Sequence, residues 1–261
     1  MIETWEAVRF EGVKRRGRTK PLIIGAERQA GSGTLRNVFI TKPIGNPEVT
    51  ADLLCHELLG HLVARYFGCR TFPFALVELS PDFIDANADA FAREGVAPSA
   101  GLAFGSQQTE HLLPFAGANP TLRAELIPAA ARVYCLDMVL QNTDRRIGNH
   151  NCALLDDDVV IWDFDQAFSF RYPIIGGTVP CWEVGKLGFR RNHVFYSSLQ
   201  NKPIDWSWVP PIAAGIASQI DAWHAALPVA WEPGSRPLLD TIAEIAPKST
   251  ELVRELALSL V

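Results

Sequence analysis

The chain has 261 residues, 48% of them apolar and 20% charged, with a formal net charge of -5. That is enough for one large domain or two closely joined lobes with a real core, and the acidic balance argues against a dedicated nucleic-acid binder. No stretch nears the run of about eighteen apolar residues that a membrane span needs, and the mixed N-terminus is not that of a secretory leader. Five cysteines, widely spaced and without a CxxC pair, read as buried thiols, which places the chain in the cytoplasm.

In chain order, Thr4 to Val13 and Pro21 to Arg28 read as strands separated by the basic run KRRGRTK. The turn AGSG leads into a short strand, Asn37 to Lys42, that stops at Pro43. Pro47 suits a first helical turn, and apolar residues then recur at helical spacing to Phe67, with Gly68 closing the helix. Phe72 to Leu79 returns to a strand. Ser80 to Ala116 is mixed, with a loop expected at GLAFGSQQ. Leu122 to Leu140 reads as an amphipathic helix that runs into the polar loop QNTDRRIGNHN. Strands at Cys152 to Leu155 and Val159 to Asp163 follow, and helices are expected over Pro211 to Leu227 and Leu238 to Val261. The pattern implies an α+β fold of two lobes: a small β-rich N-lobe with one helix over 1–80, and a larger, mainly helical C-lobe over 81–261.

The loop and the strand after it hold the densest chemistry. Asp144 and Asn149 stand in a D-x-x-x-x-N spacing, and Asp163 ends an apolar strand shortly afterwards. Phosphoryl transfer needs a carboxylate to orient the attacking hydroxyl and oxygen ligands for the magnesium ions on the phosphates. Kinases draw the first carboxylate and one ligand from such a loop and the other ligand from an Asp at a strand end.

With its order of segments, NTDRRIGN followed by VVIWDFDQAF resembles the catalytic and metal-binding segments of HipA-like kinases. More distantly it resembles those of phosphatidylinositol kinases. VFITKP and HELLGHLVARYFG resemble the lysine strand and following helix of the same group. The likeness runs from Gly12 to Phe168. It implies a bilobal protein-kinase-like fold, ATP and Mg2+ as cofactors, and transfer of the γ-phosphoryl group to a hydroxyl, most readily a protein Ser or Thr. Asp144 would be the catalytic carboxylate and Asn149 and Asp163 the magnesium ligands. Lys42 would hold the α- and β-phosphates, with Glu57 pairing with it. A protein substrate and an antitoxin-type partner are the expected partners, in a toxin–antitoxin context.

Alternatives stand beside several of these roles. Asp165 competes with Asp163, and Glu48 could replace Glu57. The lesser alternatives are that Lys42 is a solvated strand-end lysine and Glu57 a helix-surface acid. Arg146 departs from the His that relatives often carry after Asp-Arg. The basic hairpin, with Gly17 for close approach and Thr19 beside it, would cover the phosphates, though it is no glycine-rich loop. Glu78 and Leu79 end the strand where a kinase hinge offers backbone groups to adenine. His56-Glu57-Leu58-Leu59-Gly60-His61 is not a zinc motif, because residues at i and i+5 point about 140° apart on an ideal helix. Other readings are a small-molecule or lipid kinase with the same core, and a nucleotide-binding pseudokinase or interaction protein.

Overall fold

The computed structural model describes residues 2–15, 17–117, 120–172 and 179–261; Arg16 of the basic hairpin lies outside them. The chain forms two compact units. The first comprises Met1–Cys55, Phe72–Glu110 and Pro228–Trp231, and the second His56–Thr71, His111–Leu227 and Glu232–Val261.

The first unit is a closed barrel of β1 (Thr4–Val13), β2 (Leu22–Ala30), β3 (Gly33–Lys42), β6 (Gly101–Gln107) and β5 (Phe74–Leu79), in that order. All neighbours are antiparallel except β1 and β5. Side chains alternate across a strand, so Leu22, Ile24 and Ala26 of β2 and Ala75, Val77 and Leu79 of β5 face inward together. In β1 the inward set shifts from Trp5 and Ala7 to Phe10 and then Val13, because register breaks fall between Ala7 and Arg9 and between Phe10 and Gly12. Each break inserts a residue and exchanges the faces, which keeps the apolar residues inside.

β6 is the strand that the sequence reading leaves as a loop. Its glycines weaken the strand signal, yet Gly105 is required there: a Cβ would lie 2.6 Å from Val77 Cγ2. Two short helices, α2 (Pro81–Ala86) and α3 (Ala88–Glu94), add Phe83 and Phe91 to the barrel core. Ser80 caps α2 by accepting a hydrogen bond from the Phe83 N–H at 3.1 Å. With β6 and these helices, the first unit reaches beyond residue 80 to Glu110.

α1 (Ala51–Tyr66) opens four residues later than Pro47 suggests, and its residues from His56 onward belong to the second unit. That unit holds a small sheet in the order β4 (Arg70–Thr71), β9 (Asp158–Ile161), β8 (Cys152–Leu155), β7 (Leu113–Pro114). Beside it runs α4 (Ile127–Val139). The sequence reads α4 as amphipathic, but from Val133 to Leu140 every residue is buried, so it is a core helix that is apolar nearly all round. Asp137 is the one charged residue in that stretch. The C-terminal helices Val209–Gly215 and Ser249–Ser259 pack together, and the latter buries Leu252 and Leu256. All five cysteines are buried, and burial pushes the thiols of Cys152 and Cys181 up to about 12, so both stay protonated.

Candidate active site

The candidate centre lies within the second unit, on the loop between α4 and β8 and on the turn after β9. The loop is a tight one: Arg146 N–H donates to the Asn149 carbonyl at 3.0 Å, and Asn149 N–H donates back to the Arg146 carbonyl at 2.9 Å. Gly148, at φ +81°, supplies the left-handed turn that this ring of bonds needs. Asp144 thereby sits on a fixed backbone. Its carboxylate Oδ2 accepts from Asn149 Nδ2 at 2.7 Å and from Asn151 Nδ2 at 3.0 Å, and its own N–H donates to Asn142 Oδ1 at 3.2 Å. With its amide nitrogen committed to Asp144, Asn149 has its amide oxygen as the group to offer a cation.

Asp163 stands two residues past the end of β9, not within the strand as the sequence suggests, and adopts φ +63°. Asp tolerates this left-handed conformation better than bulky residues do. The turn sends Phe164 inward, where it is fully buried, and leaves Asp163 and Asp165 part-exposed. Asp144, Asp163 and Asp165 each offer a carboxylate oxygen, all within 4.8 Å of one another. Three carboxylates and a neighbouring amide oxygen form an all-oxygen donor set, which suits a hard cation such as Mg2+ and is a poor match for zinc. Both Asp163 and its sequence rival Asp165 belong to this cluster.

Helix α1 contributes from below. Glu57 Oε2 accepts the Phe164 N–H at 2.7 Å, so this acid is 3% exposed and holds the residue next to Asp163. One turn on, Gly60 faces Phe164, and a Cβ there would lie 2.3 Å from Phe164 Cβ. The glycine that breaks the zinc-protease spacing is thus needed for a ring to approach the helix. His61 donates from Nδ1 to the Glu57 carbonyl at 2.8 Å and meets Phe164 edge-on, while His56 packs on Phe168. The two rings serve different neighbours.

Beneath the loop lies a polar hub that sequence reasoning missed. Asp137 and Arg145 have wholly buried side chains, joined by a 2.7 Å bond from Nε to Oδ2. Asp137 also accepts from Asn142 Nδ2 at 3.0 Å and from His193 Nε2 at 2.9 Å. His193 Nδ1 accepts the Phe195 N–H at 3.2 Å, so the neutral ring satisfies both nitrogens. Burial lowers its pKa, which the bond to Asp137 opposes and Arg145 reinforces. The one sequence signal for this hub was an acid on the inward face of α4.

In the first unit, Lys42 is the last residue of β3 and is 7% exposed. Glu48 is exposed and pairs with Arg18 at 3.2 Å, which makes it a surface acid. The β1–β2 connection is closed by Lys14 N–H donating to the Pro21 carbonyl at 2.8 Å; within it Gly17 is exposed at φ +103° and Thr19 is buried. Glu78 is exposed and Leu79 buried at the end of β5.

No protein-family model matches the chain, and no curated protein matches it in sequence. In structure it is similar to the crystal structure of a Helicobacter pylori proinflammatory kinase, CtkA, with a TM-score of 0.50 and 10% identity over 93% of this chain and 96% of that one. The chain has a mixed α/β fold like that of this kinase.

Proposed function

We propose that the protein is an ATP- and magnesium-dependent phosphotransferase, a HipA-like kinase whose two units act as kinase lobes and whose acceptor is a protein Ser or Thr hydroxyl. The observation that carries this reading is the meeting of Asp144, Asp163 and Asp165 within 4.8 Å, with Asn149 bonded to Asp144 at 2.7 Å. The fold likeness to a kinase supports it.

In this mechanism Asp144, held by Asn149 and Asn151, orients the acceptor hydroxyl and takes its proton as the acceptor oxygen bonds to the γ-phosphorus. The bond from that phosphorus to the β-phosphate oxygen breaks, and ADP leaves. Asn149 and Asp163, with Asp165 beside them, would hold the magnesium, which supplies charge neutralisation of the phosphates. Lys42 as the phosphate lysine, its pairing with Glu57, the Gly17 and Thr19 hairpin as phosphate cover, and Glu78 and Leu79 as adenine contacts extend the proposal. They rest on the resemblance of their segments.

Incubation with labelled Mg-ATP, read by intact mass for the protein alone and by where the label lands in a cell lysate beyond a lysate-only control, tests the reading. A gain of one phosphate on the protein or on a lysate protein supports it. Label appearing only on lipids or small molecules moves the acceptor class, and ATP left intact under all conditions refutes the enzyme.

A further inference from the structure

Building on the proposed function, we propose that Arg145 is a positioning residue, which with Asp137 holds the two carboxylate-bearing segments at the separation a divalent cation requires. Arg145 follows Asp144 directly, but its side chain runs the opposite way, into the core. There one guanidinium reaches three places. Nε meets Asp137 at 2.7 Å, while Nη1 donates to the Trp162 carbonyl at 3.0 Å and also to the Asn151 carbonyl. Trp162 immediately precedes Asp163. Asn151 donates to Asp144 at 3.0 Å, and its carbonyl also accepts the Trp162 N–H at 3.1 Å. The clamp therefore ties the segment that carries Asp163 to the segment that carries Asp144. The guanidinium carbon also lies 5.2 Å from the centre of the Phe164 ring, below the same turn.

Stability alone is a weak reason for such a pair. Burying two charges costs about as much as their attraction returns, and packed apolar replacements are often neutral or better. What an apolar pair cannot do is bond to two carbonyls on separate segments, that of Asn151 just before β8 and that of Trp162 just after β9. Arg is suited to this because its planar fork fixes several donors at once, whereas an ammonium is a single point of charge. Groups that orient metal ligands from behind typically contribute about 10–100-fold to metal affinity.

The test uses the full chain and two variants. Arg145→Lys keeps the charge opposite Asp137 but cannot span both arms. Asp137→Asn with Arg145→Gln removes both charges together and so leaves no lone buried ion. Mn2+ binding is read by water-proton relaxation, Mg2+ by competition, and folding by thermal melts. The expected result is folded variants whose Mg2+ affinity falls about 10-fold or more, with a smaller loss for Mn2+, because Mg2+ demands the stricter octahedron. Affinities within about twofold of wild type would overturn the clamp. So would an equal loss for both cations that tracks a lower melting temperature, or failure of both variants to fold, since each assigns the pair to structure. Wild type that binds neither cation removes the metal site and the proposed function with it, whereas binding that survives in both variants removes only the clamp.

Discussion

At the scale of the residue, Asp144 and His193 make separate predictions. Asp144 already accepts two side-chain amides, at 2.7 and 3.0 Å, so it is oriented before any substrate arrives. Asp144→Asn keeps the shape and loses the charge. Phosphate transfer should fall by about 10²–10⁴-fold while ATP affinity changes little, since the nucleotide is assigned to other residues. Transfer rates and dissociation constants, measured side by side with Lys42→Ala, check this; the lysine variant should lose affinity as well as rate. His193 is held neutral by burial, below its ordinary value of 6.5. Below that pH the unfolded chain binds a proton that the folded chain refuses. The contribution is therefore intact above pH 6.5 and is lost as pH falls, at up to about 1.4 kcal/mol per pH unit. His193→Gln keeps a donor for Asp137 but does not titrate. Urea midpoints from pH 8 to 5 should converge for the two proteins as pH drops; curves that stay parallel would contradict a neutral His193.

Among elements, α1 and the turn after β9 depend on each other through one missing side chain. Gly60 sits inside a helix, where Ala is ordinarily better by about 0.5–1 kcal/mol. Here a methyl would sit 2.3 Å from Phe164 Cβ and 2.4 Å from Cγ, and overpacking of this kind typically costs about 1–3 kcal/mol. The second effect wins, so Gly60→Ala should lower the melting temperature. Because Phe164 N–H is the group that Glu57 holds, it should also weaken the magnesium-dependent part of nucleotide binding. A variant as stable as wild type would mean that the helix and turn can part without cost. The same variant restores neither an i, i+4 histidine pair nor zinc binding, which metal analysis of purified protein can verify.

For the whole molecule, ligand binding and stability are one equilibrium. Any ligand that binds only the folded state adds RT ln(1 + [L]/Kd), about 2.7 kcal/mol at one hundred times Kd. Mg-ATP should therefore raise the melting temperature, and Asp163→Asn should abolish the magnesium-dependent share of that rise. A full magnesium effect in Asp163→Asn, lost instead in Asp165→Asn, would transfer the ligand role to Asp165, which lies in the same cluster. Among the described residues no helix is long and apolar enough to cross a membrane.

Local chemistry in the sequence determined most of the elements and the chemical character of the centre. Strand-like stretches between breaks marked β1, β2 and β5, helical spacing marked α1, and the D-x-x-x-x-N loop with the following Asp named the acids that the fold gathers. Those signals are legible because they depend on neighbours a few residues away. Tertiary structure alone decided what depends on distant neighbours. Gly105 weakens β6 as a local strand but is demanded by Val77 across the barrel. Asp137 looks like one acid on an amphipathic helix, and becomes the acceptor of Arg145 and His193 only when three segments converge. Glu57 turns its carboxylate to the backbone of Phe164, a bond between residues separated by 107 positions, which no spacing rule can see. The sequence supplied the acidic groups of the candidate centre; long-range packing set their positions, because buried polar groups must find partners wherever the fold provides them.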